Sequence, residues 1–322
     1  MRPLRLVKQK RQKLIVLAYH RIADPNKTPL LNPRLVSAVP NDFDWQMEFL
    51  AANYNVVSME TVLDSLVNDM SLPQRAVLIT FDDGYFDFPD FAWPILKKSG
   101  LPCSVFVSTD FVAKPVQAFW WDRLHAAVIQ TESRQIVTPT MGTMTLDNPK
   151  NRLLTLKKLQ NYVKTLGHRN AMDFVEKICQ KLGVANRVKQ GSMDWEQLKM
   201  LSKQGLTLGA HTRSHPLLTQ IPLEEARIEV SGSYQDLKTE LDEVLPIFAY
   251  PNGSYNEDIK KLMHEAGIVM AFAVGNKMNH MISENPLALW RINITRKTSP
   301  LLFKLRLHQW FCYIDNWRRQ LV

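Results

Sequence analysis

One stretch constrains this chain more than any other: Val77-Leu78-Ile79-Thr80-Phe81-Asp82-Asp83-Gly84-Tyr85. A short apolar run with a turn signal directly behind it reads as a buried strand. Two adjacent carboxylates stand at its end, and glycine lets the backbone turn sharply there. Consecutive residues of a strand point to opposite faces, so only a turn brings both carboxylates to one place. Two like charges so close repel, and one pKa rises unless a cation neutralises the pair. The motif therefore calls for a metal or a shared proton. Its bland alternative is a surface Asp-Gly turn, a common feature.

Around this strand the sequence alternates. Apolar runs at 14–19, 56–58, 103–107, 206–210, 247–250 and 270–274 read as strands. Helical spacing is expected from the Asn41-Asp42 cap to about 53, behind the Ser58 cap, and over 87–99, 194–204, 222–241 and 256–266. The proline-rich segment 22–40 reads as a long loop. Strand and helix in turn with short links point to α/β architecture with parallel pairing. From about 130 to 190 the rhythm breaks, and helical patterns at 150–166 and 170–182 suggest an inserted, mostly helical segment.

The second feature is Gly209-Ala210-His211-Thr212-Arg213-Ser214-His215-Pro216, directly behind an apolar strand. In a helical turn, i and i+4 share a face, and two imidazoles there can take adjacent positions on one metal. Alone, they could equally be two surface histidines. Combined with Asp82 and Asp83 the balance changes, because both motifs begin at the C-terminal edge of an expected parallel strand. That edge is where α/β barrels assemble their sites. One carboxylate and two histidines form a facial metal site with open positions, and the second carboxylate stays free as a base.

These residues resemble the polysaccharide deacetylases, the NodB-homology carbohydrate esterases. Thr80-Phe81-Asp82-Asp83-Gly84 resembles the first family motif and His211-Thr212-Arg213-Ser214-His215-Pro216 the second. Phe248-Ala249-Tyr250-Pro251-Asn252-Gly253 resembles the third, a wall of the groove, and Trp290-Arg291-Ile292 a later one. The likeness spans roughly residues 14–295, with the insertion uncovered. It implies a distorted (β/α)7-type barrel and a divalent metal, most commonly Zn2+, on Asp83, His211 and His215. It further implies Asp82 as the base that deprotonates a metal-held water attacking an N-acetyl carbonyl, with the Tyr85 amide holding the oxyanion.

Two departures follow. Many members place an acid histidine in a late Leu-x-His motif. Here Leu305-Arg306-Leu307-His308 has only some likeness, whereas Ala18-Tyr19-His20-Arg21 matches a circularly permuted branch that opens with Tyr-His after its first strand. His20 is therefore the expected acid and His308 the alternative. Ala249 stands where many members carry an arginine that orients the base, and Arg291 is the candidate replacement. Tyr250, Asn252 and Trp121, in Phe119-Trp120-Trp121-Asp122, are candidates for substrate contact. His125, His168, His264 and His280 are read as structural, without partners.

The expected organisation is a basic tail over 1–13, a catalytic domain over 14–298 and a C-terminal amphipathic helix over 299–322. No apolar run approaches transmembrane length, and the apolar stretch behind the basic N-terminus is too short for a signal peptide. Cys103, Cys179 and Cys312 suggest no disulfide framework. Cytoplasmic placement is expected, with contact at the inner membrane face, since net charge is +9. Without a nucleic-acid motif, the default reading of that charge is a solvated surface, and the alternative is contact with anionic lipid or a phosphorylated carrier. The expected substrate is an N-acetylated glycan or a lipid-linked amino sugar. The rival readings are a deformylase or amidohydrolase on the same scaffold and a non-catalytic glycan-binding or assembly protein.

Overall fold

Seven short apolar runs form seven parallel strands that close into a ring. In the computed structural model, which describes residues 13–68, 70–183, 188, 191–281, 285–308 and 311, these are β1 (Lys13–Tyr19), β2 (Ala76–Phe81), β3 (Ser104–Val107), β4 (Thr207–Ala210), β5 (Ile247–Ala249), β6 (Met270–Val274) and β7 (Leu289–Asn293). Each pairs in parallel with the next in chain order. β7 returns to β1, with Leu17 opposite Ile292 and Ala18 opposite Asn293. The barrel is thus closed. Two-residue strands extend its N-terminal end: Asn55–Val56 beside β2 and Asn279–His280 antiparallel to β1.

Period-two alternation sorts the strand residues into two layers. Leu14, Val16, Ala76, Leu78, Phe106, Ile247, Ala249, Met270, Phe272 and Leu289 form one buried cluster, the barrel interior. Met59 and Val62, on the helix capped by Ser58, join this cluster. The alternate residues, among them Ile15, Leu17, Val77, Ile79, Val105 and Val107, pack outward against the helical layer. By the same parity Thr80 and Asp82 on the β2 line, and Arg291 on β7, point inward. The interior is apolar below and charged at its C-terminal mouth.

Several local expectations are corrected. The 22–40 segment contains a 3₁₀ turn, Pro33–Leu35, and a three-residue strand, Val36–Ala38, paired with Arg21–Ile22. The next helix begins at Pro40 behind Val39, without a side-chain cap, rather than at Asn41-Asp42; proline at the first helical position needs no donor. The 87–99 helix is split into a wide π-type turn, Phe88–Ala92, and a regular helix, Trp93–Ser99, with Pro89 and Pro94 near the two starts. The 130–190 segment holds helices Pro149–Val163 and His168–Lys181, but also a hairpin, Gln135–Thr138 with Gly142–Thr145. Its apolar cluster includes Leu124, Ala127 and Val128 from helix Trp120–Gln130.

Phe303 of helix Pro300–Arg306 is buried against Trp45 and Phe49, so this part of the C-terminal stretch packs on the barrel's outer layer. The basic tail before Lys13 and, of the C-terminal stretch, residues 309–310 and 312–322, which include Trp310, Cys312, Ile314 and Trp317, lie outside the described residues. Cys103 and Cys179 are buried free thiols. Among the described residues, no helix is long and apolar enough to cross a membrane.

Candidate active site

The two carboxylates part company through backbone geometry. The Asp82 amide still bonds to Tyr19 O at 2.9 Å, continuing the β1–β2 ladder, so its side chain keeps the inward parity. Asp83 then turns with φ 70° and Gly84 with φ 62°. The left-handed residue swings the Asp83 carboxylate over the mouth instead of out into the helical layer. Aspartate tolerates this region better than most residues. Glycine is needed next, because a Cβ at Gly84 would lie 2.7 Å from Val107 Cγ1.

Asp82 is clamped by Arg291. Its two carboxylate oxygens accept hydrogen bonds from the two terminal guanidinium nitrogens at 2.6 and 2.7 Å. The same guanidinium donates to Thr80 Oγ1 at 3.3 Å and lies over the Phe106 ring. Burial works against ionisation of Asp82, but the Arg291 charge overrides it and holds the carboxyl well below the usual carboxylate range. Arg291 thus supplies from β7 the guanidinium that Ala249 cannot.

Asp83 faces the histidines. Its Oδ1 lies 3.6 Å from His211 Nε2 and 3.3 Å from His215 Nε2. The three ligand atoms lie within 4.8 Å of one another. His211 Nδ1 is 2.6 Å from Ala249 O, which makes Nδ1 the protonated nitrogen and leaves the Nε2 lone pair facing Asp83. Burial pushes the His211 imidazole down to about 4, keeping it neutral. Asp83 Oδ1 is buried and has no hydrogen-bond partner. An unpartnered carboxylate oxygen, the His211 Nε2 lone pair and the His215 Nε2 converge. A divalent cation with N/O preference answers that arrangement, and the residues fit one.

The histidines do not sit on the expected helical turn. They stand in a pinned loop in which Thr212 has φ 67° and His215 φ 59°. The His215 amide donates to Thr212 Oγ1 at 3.0 Å. Glu229, on helix Leu223–Glu240, accepts from the amides of Arg213 and Ser214 at 2.7 and 2.9 Å and from Ser214 Oγ at 2.6 Å. On the other side the amides of Thr109 and Asp110 donate to Thr212 O and Arg213 O. A loop with two strained residues is held from both flanks.

A cavity of about 310 Å³ opens above these groups, lined among others by His20, Asp82, Asp83, Trp121, His211, His215 and Asn252. Trp121 stacks on Phe119 and sets its ring edge-on to His215, with centroids 4.9 Å apart. Its Nε1 donates to Tyr85 Oη at 2.7 Å, and Tyr85 Oη donates to Asp122 Oδ2 at 3.1 Å. The Tyr85 side chain is therefore a buried support outside the cavity lining. Tyr85 bridges to Ser192 through the amides of Phe86 and Met193, which leaves the Tyr85 amide out of the bridge. Tyr250 is likewise fully buried behind the wall, its hydroxyl donating to Leu287 O, while Asn252 and Gly253 line the cavity. His308 lies outside the lining.

Sequence reasoning missed one wall. Gln160, Val163, Lys164, Leu166, His168 and Met172 of the insertion line the cavity opposite the barrel. His168, read as partnerless, lies 3.2 Å from Ser214 Oγ through Nε2 and so ties the insertion to the histidine loop. His125 also has a partner, Pro29 O at 3.2 Å, and His280 is partnered too. The Glu229 clamp had one sequence signal, a carboxylate on an expected helix shortly after the histidine motif.

Comparison with known proteins completes the picture. The polysaccharide deacetylase domain model matches residues 69–271, which include Asp82, Asp83, His211 and His215. The chain belongs to the polysaccharide deacetylase family. His20 on β1 and Arg291 on β7 fall outside the matched residues. YxkH of Bacillus subtilis, whose name as a polysaccharide deacetylase is provisional, is 22% identical over 263 residues, covering 81% of this chain. The chain spans 64% of the length of that relative. Two solved deacetylases share the fold. PplD of Streptococcus pyogenes, in complex with acetate, aligns with a TM-score of 0.61 at 20% identity, covering 92% of this chain and 98% of its own. IcaB of Ammonifex degensii aligns at 0.60 and 18% identity, with the same coverage.

Proposed function

We propose that this chain removes N-acetyl groups from amino sugars of a polysaccharide or its precursor, by metal-assisted hydrolysis. The observation that carries the reading is the divided carboxylate pair. Asp83 is turned onto the Nε2 atoms of two imidazoles, and Asp82 is held ionised by Arg291. Family membership and the deacetylase fold support it.

A zinc-type divalent ion held by Asp83, His211 and His215 would supply Lewis acidity, polarising the acetamide carbonyl and acidifying a water. The remaining work falls to protein groups. Asp82 accepts the proton of the attacking water, in a plane fixed by the two Arg291 bonds. The Tyr85 amide donates to the carbonyl oxygen as it gains charge. His20, on the same cavity wall as both carboxylates, protonates the departing amine. Acetate and a free amino sugar leave. Trp121 keeps the His215 ring edge-on, and Asn252 contacts the sugar.

The substrate reading includes a lipid-linked or other precursor handled at the inner membrane face. Release of acetate from N-acetylated glucosamine oligomers by the purified chain tests the proposal. Activity should fall with chelator and return with zinc, and Asp82→Asn should lower turnover about 10²–10⁴-fold while bound metal stays stoichiometric. Formate instead of acetate would favour the deformylase. Metal-free protein with unaltered activity would end this mechanism.

A further inference from the structure

Helix Pro149–Val163 of the insertion has two faces of unlike purpose. Thr155, Leu156, Leu159, Gln160 and Val163 are buried. Lys150, Leu153, Leu154, Lys157, Lys158, Asn161 and the C-capping Lys164 are exposed. At 100° per residue these seven occupy one continuous arc of the helix. Leu153 and Leu154 are 56% and 50% exposed, the two apolar residues on an otherwise polar and cationic face. From Asn148 through Met172 the chain carries Lys150, Arg152, Lys157, Lys158, Lys164 and Arg169 and no carboxylate. Arg152 is used internally, donating to Val128 O, Ile129 O and Thr131 O. The four lysines of the face make no ion pair among the described residues.

We infer that this face docks on an anionic lipid surface. Two adjacent leucines flanked by lysines give the chemistry of an interfacial helix: apolar side chains for the acyl boundary and cations for headgroup phosphates. A second copy of the chain fits poorly, because a two-fold contact would set the same four lysines against one another. Position adds to the argument. Lys164 belongs both to the exposed face and to the lining of the catalytic cavity, together with Gln160 and Val163 from the buried side. A helix lying on the bilayer therefore brings the cavity mouth to headgroup level, where an amino sugar on a lipid carrier would be presented. The inference rests on the deacetylase reading for that orientation only; the docking itself stands on the helix.

Co-sedimentation of the full chain with vesicles tests it. The chain should bind phosphatidylcholine vesicles containing phosphatidylglycerol, and bind them less at high salt. Lysines near an anionic surface are worth about fivefold each in partitioning, so Lys157→Glu/Lys158→Glu should weaken binding by at least ~25-fold. Leu153→Ser/Leu154→Ser should weaken it by roughly tenfold or more. Neither pair lines the cavity, so both variants should release acetate from a soluble N-acetylated oligomer at the parental rate, which separates failure of docking from failure of the catalytic reading. Equal binding of parent and both variants overturns the inference, as does equal affinity for pure phosphatidylcholine or no binding by the parent. Sensitivity to the lysine pair without the leucine pair would show charge attraction with no seating of the leucines at the acyl boundary, and the interfacial-helix assignment falls.

Discussion

Replacing Arg291 by methionine removes a buried guanidinium and keeps most of its volume. Asp82 then loses both of its shortest hydrogen bonds, at 2.6 and 2.7 Å, in a pocket where its side chain is 6% exposed. Breaking one side of such a pair costs about 3–5 kcal/mol, or roughly 4–7 °C in Tm for a chain of this size. The penalty depends on pH, and its sign can be worked out. In the parent, Asp82 has its folded pKa below the unfolded value near ~3.9. The pair therefore contributes stability above that value, and loses it as pH falls through the folded pKa. Without Arg291, burial is opposed only by the weaker pull of His211 and His20, and the folded pKa rises above the unfolded one. The penalty is then full at alkaline pH and shrinks as pH falls and the carboxyl takes a proton. Thermal melts of parent and Arg291→Met from pH 4 to pH 9 should diverge as pH rises. The same shift appears in turnover. The parent should show no acid limb from Asp82, whereas the variant should lose turnover toward acid and regain part of it toward base. Arg291→Lys restores charge without the two-pronged geometry, so it should rescue Tm more than turnover. Parallel melting curves and identical pH–rate profiles for parent and Arg291→Met would refute the clamp.

Two further outcomes are expected. His20→Ala should lower turnover about 10²–10⁴-fold with bound metal unchanged, and the loss should be smaller for an activated ester than for an amide, because an ester leaving group needs less protonation. Glu229→Gln keeps the shape but removes the charge from three hydrogen bonds onto the histidine loop. Bonds to charged groups are worth about 1.5–3 kcal/mol each. Metal affinity measured by competition with a chelating dye should weaken by at least tenfold, and supplying excess zinc should restore turnover.

The parts of the site that follow from local chemistry were readable before the fold. Asp82-Asp83-Gly84 and His211 to His215 each sit within one turn of an apolar run, and strand order then places both at the same mouth. Arg291 was harder, because its partner is 209 residues away and only barrel closure sets β7 beside β1, one strand from β2. Its inward direction follows from parity with Leu289 once the strand is known. The strand Val36–Ala38 escaped because three residues among prolines carry no period, and the hairpin 135–145 because one of its strands, Gly142–Thr145, has a single buried residue. The helical turn inferred for His211 and His215 failed for a different reason. Spacing of four fits a helix, but His211 and His215 converge on Asp83 through left-handed backbone at Thr212 and His215, a route that spacing cannot distinguish.

The ring in which β1 meets both β2 and β7 has a consequence for how the chain comes to work at all. The proposed acid follows the first barrel strand, and the partner of the proposed base lies on the last. Everything between them can be synthesised and still leave Asp82 facing an interior with no cation to meet it. Contacts across such sequence distances form late and slowly. The catalytic mouth therefore gains the guanidinium that holds Asp82 only when the barrel has shut.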